Sequence, residues 1–169
     1  TPALHAGGWH DIFAQGTIDA FLGYQNEGGP RARGQQKLLM GPWAHALFQE
    51  QVGKLKFPNA RRPPNNVADP WRWFDWQLKG QSNALASTPA VTYYVMGDTT
   101  DTHAPGNTWR TADAWPPPSQ ITPFYLHPDR SLSTSPRPAA ALVDYEYQPA
   151  HPVPTVGGPH LTLPAGPMD

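Results

Sequence analysis

The chain has no cysteine among its 169 residues. Disulfides, thiolate metal sites and a cysteine nucleophile are therefore excluded, although this alone does not fix a compartment. No apolar stretch approaches the roughly 20 residues that a membrane helix needs. Net charge is only −1, and the longest basic run is Arg61-Arg62. That balance argues against nucleic acid or an anionic membrane as the main partner. What the chain has in excess is proline, with 22 residues, and tryptophan, with seven. Its length allows a real core, as one domain or one and a half. The opening Thr-Pro and a close at residues 165–169 without a final element read as a fragment of a longer protein. No signal peptide is visible; a leader would precede Thr1, so localisation stays open.

The first 45 residues organise the rest. Residues 2–6 read as a short buried strand, followed by a Gly-Gly turn into Trp9, His10 and Asp11. From Phe13 to Asn26, Ile18, Phe21 and Leu22 recur at helical spacing. Gly28-Gly29-Pro30 ends that helix, and residues 37–40 form a second strand stopped by Gly41-Pro42. Two strands joined by a helix make a βαβ unit with parallel strands. In α/β proteins the sites lie at the carboxyl ends of such strands. Asp11 and His45 each stand just past one of these ends, as an acid placed to orient a base.

Residues 46–69 lack periodicity and read as a long surface excursion, of the kind that is often functional. Asp69, Pro70 and Gly80 then bracket a helix as N-cap, first position and stop. Trp71, Phe74 and Leu78 share one face, where the aromatics read as packing, and Asp75 reads as a structural hydrogen-bond partner. Residues 81–88 are polar and read as a linker between domains. Beyond it, residues 90–96 form a strong strand candidate, with further candidates at 108–111, 121–127 and 142–147. Fourteen of the prolines fall from Pro105 onward. Proline is confined to the edges and turns of sheets, so this half reads as all-β with long loops. About four strands can be counted where a jelly roll has eight.

An acid followed by a histidine on successive strand ends is the second half of the α/β-hydrolase order Ser…Asp/Glu…His. Strand-end Asp and His residues also serve simply to satisfy loops. The motifs are more specific than the pair. Gly-Gly-Trp-His-Asp-Ile-Phe (7–13), Gly-Pro-Trp-Ala-His (41–45) and Trp-Phe-Asp-Trp-Gln-Leu-Lys-Gly (73–80) occur in order. Together they resemble the superfamily of cocaine esterase, α-amino acid ester hydrolases and X-prolyl dipeptidyl-peptidases. Residues 89–97 resemble the opening of that family's jelly-roll domain. Trp115-Pro116-Pro117, Phe124-Tyr125-Leu126 and Tyr147-Gln148-Pro149, followed by residues 152–158, resemble its later phrases.

The resemblance implies a fold class of α/β then all-β: the last strands and helices of an α/β-hydrolase fold, then part of a jelly-roll β-sandwich. Residues 1–80 would belong to the catalytic domain, 81–88 to a linker and 89–169 to an incomplete jelly roll. It implies a serine hydrolase acting through an acyl-enzyme on a small-molecule ester or amide, without a cofactor or metal. Asp11 would be the triad acid and His45 the base, with Trp9 and Trp43 walling the substrate site. The family usually has tyrosine where this chain has His10, which adds a titratable ring beside the acid. The family's nucleophile is a serine in a Gly-x-Ser-x-Gly elbow upstream of the acid. Residues 1–81 contain no serine, and their only side-chain hydroxyls besides tyrosine are Thr1 and Thr17. The chain alone is therefore expected to be inactive. Acyl and leaving-group specificity and oligomeric state are not legible. Two other readings remain: a carbohydrate- or ligand-binding β-module using the aromatics, and a zinc site from His5, His10, Asp11 and His45.

Overall fold

In the computed structural model, residues 1–136, 144–161 and 163–168 are described. Strand β1 (Leu4–Gly8), helix α1 (Ala14–Asn26) and strand β2 (Lys37–Gly41) form the expected βαβ unit. The two strands pair in parallel from Leu4↔Lys37 to Gly8↔Gly41. Leu38, Leu39 and Met40 are all fully buried, as a parallel strand covered on both faces requires. Successive side chains point to opposite faces. Leu38 and Met40 meet Ile18 and Phe21 of α1. Leu39 faces Trp43, Val67, Trp73 and Leu85.

Segment 81–88 is a packed connection rather than a linker. It carries the short helix α3 (Ala84–Ser87), capped by the Asn83 side chain, which accepts from Leu85 N–H. Leu85 is fully buried. The chain then enters β5 (Val91–Val95), which pairs in parallel with β2 from Leu38↔Val91 to Met40↔Tyr93. β6 (Thr108–Ala112) returns antiparallel beside β5. The sheet order is β1-β2-β5-β6. The strands expected to open a separate β-domain thus extend the βαβ sheet. Polar composition at 81–88 concealed the one apolar side chain that anchors it.

Residues 46–69 are also more ordered than an excursion. They hold a hairpin of β3 (Gln51–Val52) and β4 (Leu55–Lys56) and a 3-10 turn at Pro64–Asn66. Val52, Phe57, Ala60 and Val67 from this segment are buried. Helix α2 (Pro70–Lys79) is bounded as expected. Asp69 accepts from Trp71 N–H at 3.0 Å, and Gly80 closes the helix in the left-handed region at φ 68°. Asp75 pairs with Lys79 one turn on. The face it buries differs from expectation. Trp73 packs into the core with Trp76 beside it, whereas Trp71 and Leu78 are each 77% exposed and Phe74 is exposed too. With aromatics on both faces, spacing could not choose between them.

The chain divides into two compact units, residues 1–117 with 156–169, and residues 118–155. The second unit contains a small hairpin, β7 (Tyr125–Leu126) with β8 (Leu132–Ser133). The strand expected over 121–127 is therefore only two residues long. Of the strand expected over 142–147, residues 142 and 143 lie outside the described residues, and 144–147 are not in a strand.

Candidate active site

The site is made where two turns cross. Beyond β1, Trp9 N–H donates to the Gly41 carbonyl and His10 N–H donates to the Trp43 carbonyl, both at 2.9 Å. Glycine is required at this crossing. A Cβ on Gly8 would lie 2.1 Å from the Trp43 carbonyl oxygen, and one on Gly41 would lie 2.3 Å from the Trp43 ring. The turn after β1 is thereby pressed against the turn after β2.

Asp11 and His45 meet there. His45 Nδ1 is 3.1 Å from Asp11 Oδ1 and 3.3 Å from Oδ2. The carboxylate also accepts from Phe13 N–H at 3.1 Å. A carboxylate offers only acceptors, so Nδ1 carries the hydrogen and Nε2 is left as the acceptor. Side-chain exposure is 7% for Asp11 and 53% for His45. The acid is sealed against the fold while the ring reaches solvent. Phe13 lies edge-on to the His45 ring, 5.3 Å between centroids. A ring held at one nitrogen and open at the other can act as an oriented general base. The 7–13 motif contains Phe13 without assigning it a role; its place two residues after the acid, at the start of α1, is the signal for it.

Trp9 and Trp43 do not form an open wall. Trp43 is 0% exposed. Its indole N–H donates to the Ala60 carbonyl at 3.2 Å, and its ring packs on Phe48 and Trp109. Trp9 donates from its indole to the Tyr94 carbonyl at 2.8 Å and packs on Trp115. Both indoles are bonded to backbone within the fold, so packing accounts for them. Sequence could not separate this from ligand contact, because either role wants a large ring beside the acid.

The four residues of the zinc reading are not gathered. His5 Nε2 is 3.1 Å from Gln36 Oε1, with its ring against Phe21 and Tyr24. His10 stacks on Phe57, 6.5 Å between centroids. Among the described residues no group of three or more His, Asp or Glu could hold a metal ion. Burial pushes the His10 ring below the usual histidine range, and its Nε2 is buried without a hydrogen-bond partner. Burial also pushes the Tyr94 phenol up to about 12; its hydroxyl donates to the Pro58 carbonyl.

The sequence of residues 1–47, which spans β1, α1, β2 and both site residues, matches the model of the X-Pro dipeptidyl-peptidase (S15) family. Over 170 aligned positions the chain is 32% identical to cocaine esterase of Rhodococcus sp. (strain MB1 Bresler), covering 94% of this chain and 27% of that protein. The chain thus spans about a quarter of that relative's length. A CocE/NonD family hydrolase from Staphylococcus aureus has a similar fold, with a TM-score of 0.50 at 20% identity over 80% of this chain and 21% of that one. The two turns that build the site and the aligned sequence around them lead to one family, and the chain belongs to the hydrolase superfamily of cocaine esterase and the X-Pro dipeptidyl-peptidases.

Proposed function

We propose that this chain supplies the acid and the base of a serine-hydrolase triad that cleaves a small-molecule ester or amide. The carrying observation is the contact of buried Asp11 with His45 Nδ1. The family resemblance puts the nucleophile in a serine elbow upstream of Asp11, and residues 1–81 hold no serine, so on this reading it comes from a part of the complete protein outside this chain. In the complete site the serine hydroxyl attacks the substrate carbonyl while His45 Nε2 takes its proton. The imidazolium is stabilised by Asp11 and returns the proton to the leaving group. An acyl-enzyme remains, and water activated by the same histidine clears it. Beyond β6, which belongs to the βαβ sheet, residues 118–155 are read as part of a jelly-roll domain in that protein, on the family phrases and proline-rich turns already described.

The test is turnover and fluorophosphonate labelling of the complete protein. Asp11→Asn should leave the fold intact, yet slow both ester turnover and labelling by up to about 10⁴-fold. Near-normal rates in that variant would refute the assignment. On the same reading the isolated 18.6 kDa chain should take up no label, and a stoichiometric label on it would place the nucleophile within this chain.

A further inference from the structure

Past His45 the chain builds a second feature. Three consecutive carbonyls, at Pro58, Asn59 and Ala60, each accept a hydrogen bond from a different aromatic side chain. Tyr94 Oη donates to Pro58 at 2.7 Å, Trp109 Nε1 to Asn59 at 2.9 Å and Trp43 Nε1 to Ala60 at 3.2 Å. The donors come from β5, β6 and the turn that carries His45. Asn59 itself sits in the left-handed region at φ 57°, and its carbonyl also accepts from Arg62 N–H at 2.9 Å. The backbone at 58–60 is thereby fixed, while the next residue, Arg61, is exposed.

Arg61 faces a cavity of about 610 Å³, lined also by Phe48, Gln49, Glu50, Gln51 and Lys56. That lining starts three residues after His45. Phe48 holds φ at 62°, a genuine outlier for a bulky side chain and of a kind that gathers at functional sites. Its ring is seated on Trp43, 4.6 Å between centroids. Among the described residues none of Glu50, Lys56 and Arg61 has an ion-pair partner. Two cations and one anion leave one net positive charge in a cavity otherwise walled by two amides and a ring.

We propose that Arg61, with Lys56, forms a carboxylate-binding subsite that selects substrates whose acyl or leaving group carries a single negative charge. A guanidinium presents paired N–H donors that match a carboxylate, and the pinned backbone sets where that fork starts. Glu50 offsets one cation, which suits a monoanion over a dianion. The substrate role rests on the hydrolase reading; affinity for a carboxylate does not.

The test is an NMR titration of the ¹⁵N-labelled complete protein with benzoate at low salt, against benzamide as its neutral counterpart. Benzoate should give saturable shifts at the amides of residues 48–51 and at the Arg61 side chain, and benzamide none. Arg61→Ala should weaken benzoate binding about tenfold, the loss of one exposed charge-assisted contact. Arg61→Lys should retain part of it. Equal shifts with both probes, no saturable response to benzoate, or full binding by Arg61→Ala would each overturn the subsite. In the complete protein, Arg61→Ala should lower kcat/KM for a hemisuccinate ester and spare its ethyl ester. Benzoate binding in a parent that hydrolyses nothing would refute the hydrolase reading and support the subsite. Hydrolysis without any benzoate response would do the reverse.

Discussion

Gly8→Ala tests whether the crossing of the two turns holds the site together. The new Cβ would stand 2.1 Å from the Trp43 carbonyl oxygen and 2.6 Å from its carbon. Both obstacles are backbone, so no side chain can swing aside, and the turns must part by about 1 Å to restore normal contact. That movement weakens the bonds from Trp9 N–H to Gly41 and from His10 N–H to Trp43, both now 2.9 Å. Each is worth about 1 kcal/mol net. Overpacking strain adds about 1–3 kcal/mol. The expected loss is then about 3–5 kcal/mol, against a total of about 5–15 kcal/mol for a typical domain. Urea unfolding followed by tryptophan fluorescence reads it as a lower midpoint at unchanged slope. Gly16→Ala is the control. Its Cβ would meet nothing within 4 Å, it lies inside α1, and it should gain about 0.5–1 kcal/mol from helix propensity. An unmoved midpoint in Gly8→Ala, or equal effects of the two substitutions, would refute the reasoning.

The remaining predictions concern His10 and the C-terminal strap, the segment in which Gly166 bridges back to Gly158 and the Pro167 carbonyl accepts from Lys54 N–H. Because burial lowers the His10 value from its ordinary 6.5, the unfolded chain takes up a proton more readily than the folded one. Stability is therefore fully present above about 6.5 and declines as pH falls below it. His10→Phe keeps a ring on Phe57 and removes the unpartnered Nε2, so its unfolding free energy should rise by about 1 kcal/mol, read as a higher urea midpoint that stays flatter between pH 7 and 5. Gly166→Ala should loosen the strap, since Gly166 holds φ at 99° and its Cβ would lie 2.7 Å from Gly53 N and Val52 Cγ1. The readout is faster hydrogen exchange at the Lys54 amide, which donates to the Pro167 carbonyl at 2.9 Å.

Local chemistry was legible where it acts within a few residues. The βαβ unit followed from apolar spacing at Ile18, Phe21 and Leu22 and from glycine and proline stops. The bounds of α2 followed from Asp69, Pro70 and Gly80. Parallel strand ends put Asp11 and His45 on one sheet edge and so allowed their contact without showing it. What the sequence hid was packing decided by distant partners. Leu85 turns a polar stretch into a packed connection because Leu39 and Trp43 lie across from it. Trp73, not Trp71, is buried because the sheet lies on that side. The pinned carbonyls at 58–60 depend on Trp43, Tyr94 and Trp109, and no periodicity announces a hydrogen bond between an indole and a loop 50 residues away.

The same long-range packing explains why a nearly isosteric change at Asp11 should be severe in the proposed reaction. Oδ1 of Asp11 accepts from Phe13 N–H at 3.1 Å, and His45 Nδ1 lies 3.1 Å from Oδ1 and 3.3 Å from Oδ2. In Asp11→Asn the one carbonyl oxygen goes to Phe13, since the backbone donor has no alternative acceptor on that side chain. The amide NH₂ then replaces Oδ2 and faces Nδ1. Nδ1–H then faces a donor on one side and shares the one remaining oxygen with Phe13 on the other, and the buried charge that favoured it is gone, so the tautomer with its hydrogen on Nε2 gains population. In that tautomer the nitrogen away from Asp11 no longer accepts a proton. The fold would change little, because Asp11 is held mainly through its backbone, with N–H donating to Gly8 and the carbonyl accepting from Ala14, both at 3.1 Å. The loss falls on proton transfer alone. A substitution that left turnover intact would therefore mean that the proton leaves the nucleophile by a route other than His45 Nε2.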